Sequence, residues 1–96
     1  MAISRIVRDN REQILGIARK HGAENVRVFG SAARGEIGPD SDIDFLVEAG
    51  PQHSPWFPGG LLADLQDLLG RSVDVVEPDG LHWYIKDRVL SEAVPL

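Results

Sequence analysis

Apolar side chains recur along this chain first at helical and then at extended spacing, and the alternation maps out the elements. In residues 3–20, Ile3, Ile6, Val7, Ile14, Ile17 and Ala18 fall at mixed three- and four-residue intervals with Leu15 beside them, which predicts one amphipathic helix. Gly22 follows as its C-terminal stop. Residues 26–29 are short, apolar and β-branched, the mark of a first strand ending at Gly30. Ser31 is a good N-cap and Ala32-Ala33-Arg34 are good helix formers, so residues 31–36 predict a brief helix ended by Gly35 and Gly38-Pro39. Residues 42–48 alternate. Ile43, Phe45 and Val47 face the core, while Asp42, Asp44 and Leu46 face the other way in a second strand whose acidic end opens outward.

Prolines and glycines make residues 49–60 a surface loop, with Trp56 and Phe57 in a setting no pattern assigns. Leu61, Leu62, Leu65, Leu68 and Leu69 then form an apolar helical stripe stopped by Gly70. Val73-Asp74-Val75-Val76 reads as a third strand and Pro78-Asp79-Gly80 as a turn. Residues 81–93 return to helical period, with Leu81, Ile85 and Val89 in line and Trp83 roughly 200° around from Leu81. The order predicts an α/β domain, a small mixed sheet of about three strands packed by helices. Trp56, Phe57 and Trp83 are candidate anchors for a partner protein.

Composition narrows the class. The 96 residues give room for one domain, residues 1–96, and 43% hydrophobic with 26% charged residues are ordinary globular values. No run is long enough to span a membrane and the start lacks a signal-peptide core, so a cytoplasmic protein is expected. Without cysteine, and with His21, His53 and His82 unsuitably spaced, a zinc site is not expected. The net charge of −5 and scattered basic residues argue against direct nucleic-acid binding.

Candidate chemistry gathers between Gly30 and Asp44. Gly30-Ser31 closes an apolar strand where backbone N–H groups can approach an anion unobstructed, phosphate being the obvious one. Asp42 and Asp44, two residues apart, put two mutually repelling carboxylates on one face, a repulsion a hard divalent cation relieves. Taken singly, these residues have plainer readings, as strand terminator, helix cap and solvated turn. Aspartate entering a β-branched strand is nonetheless disfavoured, which points to function. A P-loop needs Gly-Lys-Ser/Thr where this chain has Gly35-Glu36, and a calcium loop opening at Asp40 would have Phe45 and Pro51 where Gly and Glu belong. Arg34 either contacts phosphate or pairs with a surface acid.

Together Gly30-Ser31, Arg34-Gly35 and Ser41-Asp42-Ile43-Asp44 resemble the signature of the polymerase beta-like nucleotidyltransferases, in their minimal branch. The resemblance implies that Gly30 and Ser31 grip a nucleoside triphosphate and that Asp42 and Asp44 hold two Mg²⁺ ions. It also implies that Asp74 is the third carboxylate on a later strand. Minimal members resemble antitoxins that transfer AMP from ATP to a tyrosine of a HEPN-type ribonuclease toxin. The function implied is Mg²⁺-dependent transfer of a nucleoside monophosphate to a protein hydroxyl. The alternative is an antitoxin that neutralises its toxin by binding only.

Overall fold

The computed structural model describes residues 3–38, 40–53 and 55–96; Pro39, expected to help end the short helix, lies outside them, as do Met1, Ala2 and Ser54. The first predicted helix is two helices, α1 (Arg5–Asp9) and α2 (Arg11–Lys20). Asn10 divides them. Its side-chain amide donates to the Ile6 carbonyl at 2.8 Å while its own carbonyl receives the Ile14 N–H, so one residue closes a helix and opens the next. Gly22 is left-handed at φ +77° and follows the end of α2, as expected.

Strand β1 (Ala23–Phe29) begins earlier than its apolar core suggests. Between Glu24 and Arg27 it carries one residue more than its neighbour, with Asn25 left-handed at φ +53°, a bulge that lets Ala23 and Val26 both turn inward despite their odd spacing. Next come α3 (Gly30–Arg34), β2 (Ile43–Ala49), α4 (Gly59–Leu69), β3 (Val73–Val76), a 3₁₀ turn at Pro78–Gly80, α5 (Trp83–Glu92) and β4 (Val94–Pro95). The helix α3 starts at Gly30 with Phe29 preceding it, so Ser31 sits inside the first turn and is not the N-cap the sequence suggests.

The sheet has four strands where about three are expected, in the order β3-β2-β1-β4. Strands β2 and β3 run parallel and the other pairs antiparallel, which makes the sheet mixed. The extra strand β4, two residues including a proline, is too short to leave a periodic signal.

One face of the sheet carries the main core. Val28, Ile43, Phe45, Val47 and Val73 pack there with Val7, Ile14 and Ala18 from α1 and α2 and with Leu61, Leu65 and Leu69 from α4. The alternation in β2 therefore points as expected, except that Leu46 on the opposite face is also fully buried. That face is not open along its whole length. Leu46 and Val89 of α5 are both buried outside the main cluster, while the Asp42–Asp44 end stays accessible.

Residues Phe57 and Trp56 part company. Phe57 packs against the core with its ring edge-on to His53, so it is not the exposed anchor expected of it, whereas Trp56 and Trp83 are 82% and 80% exposed. No helix among the described residues is long and apolar enough to cross a membrane.

Candidate active site

Strand pairing sets the site out as a row. Phe29 of β1 lies opposite Asp44 of β2, and Asp44 lies beside Asp74 of β3, so the two carboxylates project from adjacent strands on the same face. Asp42 is exposed and lies just ahead of β2, which begins at Ile43. Asp44 is half-buried, and Asp74 is exposed. Burial pushes the Asp44 carboxyl above the ordinary aspartate range, and the charges of Asp74, Asp42 and Glu92 push it further in that order. Four carboxylates therefore share one end of the sheet.

At the end of β1 the chain turns sharply into α3 through Gly30, left-handed at φ +67°. A Cβ there would lie 2.7 Å from Oδ2 of Asp44, inside any real contact, so the missing side chain keeps free the space beside that carboxylate. The next residue, Ser31, is half-buried, and its carbonyl accepts the Glu36 N–H at 2.9 Å. Arg34, at the end of α3, gives Nε to Glu36 and Nη1 to Glu92, each at 2.8 Å. Its two carboxylate partners hold the guanidinium pKa above its ordinary value, Glu36 foremost.

The structure thus brings Gly30, Asp42, Asp44 and Asp74 to one end of the sheet, with Arg34 linked to Gly30 through Glu92. Asp42, Asp44 and Asp74 interact through their charges without closing on one point: among the described residues no three Asp, Glu, His or Cys side chains form a ready-made metal cluster. The donor chemistry still fits magnesium. All three groups are hard oxygen ligands, Asp44 is penalised by its like-charged neighbours in a way a cation reverses, and the absent Gly30 side chain leaves room beside it.

Sequence reasoning missed Glu92. Its carboxylate Oε1 accepts the Gly30 N–H at 2.8 Å as well as the Arg34 bond, across 62 and 58 residues of chain. Only the tertiary register reveals that proximity, because β4 pairs Val94 with Val28 and Pro95 with Arg27 and so carries the end of α5 back to Gly30. One local signal existed. An acidic residue closes α5, whose last turn holds no basic residue, and a helix C-terminus disfavours negative charge.

A model of the nucleotidyltransferase domain matches residues 11–96. A presumed protein adenylyltransferase of Methanocaldococcus jannaschii is 40% identical over 88 residues, 92% of this chain and 95% of that protein. The solved structure of a presumed minimal nucleotidyltransferase superposes with a TM-score of 0.85 at 41% identity, covering 99% of this chain and 97% of that one. The complex of the tri-AMPylated Shewanella oneidensis HEPN toxin with an MNT antitoxin shares the fold, with a TM-score of 0.67 at 20% identity over 92% of this chain and 69% of that one. The row of carboxylates beside a glycine turn and these matches agree: the chain belongs to the nucleotidyltransferase domain family, as one of its minimal nucleotidyltransferases.

Proposed function

We propose that this protein transfers AMP from ATP to a tyrosine hydroxyl of a HEPN-type toxin and so serves as its antitoxin. The observation that carries the reading is Asp44, a half-buried carboxylate raised by its acidic neighbours and kept clear by Gly30. The protein-directed activity is supported by the name of the Methanocaldococcus relative, and the toxin class by the AMPylated partner in the Shewanella complex.

Asp42, Asp44 and Asp74 would hold two Mg²⁺ ions. Bound magnesium supplies neutralisation of triphosphate charge and acidifies an acceptor hydroxyl. The backbone N–H of Gly30 and the hydroxyl of Ser31 bind the β- and γ-phosphates, and Arg34 adds a guanidinium to the same anion. Held there, the triphosphate presents its α-phosphorus to the acceptor. The tyrosine oxygen forms the new O–P bond, the bond to the β-phosphate breaks, pyrophosphate leaves and the hydroxyl proton passes to Asp74. Trp56 and Trp83 are large aromatic side chains offered to a protein acceptor, with the exposed Tyr84 beside Trp83.

The test is co-expression with the product of the adjacent gene, followed by intact mass of that partner. The wild type adds one or more adenylates, and Asp42→Asn adds none. A partner that binds wild type yet never gains mass would refute transfer and leave the binding-only antitoxin.

A further inference from the structure

Gly30 N–H and the Arg34 guanidinium, the two donors that the proposed function assigns to the triphosphate, already hold an anion, the carboxylate of Glu92. We propose that Glu92 is a built-in competitor for the phosphate cradle, which a nucleoside triphosphate must displace, so that this residue sets how much anionic charge a ligand needs to enter. The inference rests on the nucleotide reading above and adds a residue that controls ligand selection.

Three features support displacement over a fixed structural role. First, both donors converge on a single oxygen, Oε1, at 2.8 Å, so a phosphate oxygen can satisfy the same pair. Second, Glu92 is held in an unfavourable place, at the C-terminal end of α5 and among the carboxylates that crowd Asp44, so its hold on the cradle is opposed by its surroundings. Third, the displaced side chain has somewhere to go. Arg88 lies one helical turn back and lines the same cleft of about 440 Å³ with Phe29, Ile85 and Val89, and among the described residues it has no carboxylate partner. Glu92 therefore exchanges Gly30 and Arg34 for Arg88 while the backbone of α5 and its junction with β4 stay in place. A singly charged carboxylate is readily outcompeted by a triphosphate and less readily by a monophosphate. The cradle consequently favours a nucleoside triphosphate over a nucleoside monophosphate.

Calorimetry with inorganic tripolyphosphate in EDTA isolates the cradle from any metal, and MgATP tests the complete ligand. Glu92→Ala is expected to bind tripolyphosphate about tenfold more tightly than wild type, the value of one charge-assisted hydrogen bond released from competition. Glu92→Gln falls between, because its amide oxygen still accepts from Gly30, and it covers the case in which the alanine variant folds poorly. No gain in either variant, or weaker binding, overturns the competitor. MgATP binding separates the two levels: if wild type binds MgATP and neither variant binds it more tightly, the competitor alone fails. If neither wild type nor either variant binds MgATP, the nucleotide reading fails with it.

Discussion

Two aspartates on opposite faces of the sheet receive opposite treatment. Asp64 of α4 accepts His21 at 2.7 Å and Lys20 at 3.4 Å, and the His21 hydrogen bond leads the interactions that lower its pKa. The contact ties the end of α2 to α4 above the main core, and Gly60 makes room for it, since a Cβ there would meet the His21 ring at 2.8 Å. Asp44 is surrounded by Asp74, Asp42 and Glu92, and its pKa is raised. A carboxylate whose charge is met inside the chain holds structure together. One whose charge is left unmet is arranged for something that arrives from outside.

The largest break in that comparison is to remove the unmet charge. Asp42→Asn and Asp44→Asn should each cost more than about a hundredfold in transfer, because even outer partners of metal ligands are worth 10–100-fold. Asp74→Asn should slow transfer while MgATP still binds. Normal transfer in Asp42→Asn would end the mechanism. Next in size is Gly30→Val, which forces a branched side chain to φ +67° and into Asp44, costing about 1–2 kcal/mol from backbone handedness alone. It should weaken ATP binding more than Ser31→Ala does. Equal affinities by calorimetry would remove Gly30 from the cradle.

Acidity sharpens the contrast, because the two shifts have opposite signs. Asp44, with its folded-state pKa raised, contributes stability that is complete below its unfolded value and lost as pH rises through the folded one. Asp64, with its pKa lowered, contributes stability present above its unfolded value and lost as pH falls through the folded one. Thermal melts in EDTA should therefore show Asp44→Asn gaining on wild type as pH rises above about 4, where an unperturbed aspartate titrates. Asp64→Asn should trail wild type by a steady margin above about pH 4 and draw level as pH falls below it. Mg²⁺ should raise the melting temperature of wild type and leave Asp44→Asn nearly unmoved. If both variants gain on wild type, or both lose to it, as pH rises from below to above about 4, the assignment of opposite roles is wrong.

Much of this layout is written in local pattern. The two-residue alternation of Ile43, Phe45 and Val47 and the helical stripe from Leu61 to Leu69 reappear as the two sides of the main core, because each is long enough to carry a period. The features that escape are those without one. Asn10 splits a helix by a single side-chain hydrogen bond, Asn25 adds one residue to a strand, and β4 has two residues. At the site, Asp44 and Asp74 stand out because aspartate conflicts with plain strand chemistry, and Gly30 and Asp42 because they flank apolar strands at their ends. Glu92 carries no such motif. Its meaning depends on a register that joins residues more than sixty positions apart, and sequence spacing cannot display that.

The smallest expected effect lies on the structural side of the comparison. Replacing His21 with Ala removes the hydrogen bond that leads Asp64's downward shift, leaving Lys20 as its remaining ion-pair partner. The pair is partly exposed and screened, so the melting temperature should fall by only a few degrees. The pH response should change more clearly than the stability: with Asp64 returned toward ordinary behaviour, the loss of stability on acidification becomes shallower. Transfer and ATP affinity should match wild type, because His21 and Asp64 join α2 to α4 on the Phe45 face while Asp44 projects from the other. Distant sites with no shared partner add independently, so His21→Ala combined with Glu92→Gln should show the stability of the first and the phosphate affinity of the second. A fall in transfer approaching that of Asp42→Asn would mean that the two faces are coupled through the sheet, and the separation of structural from functional carboxylates would have to be abandoned.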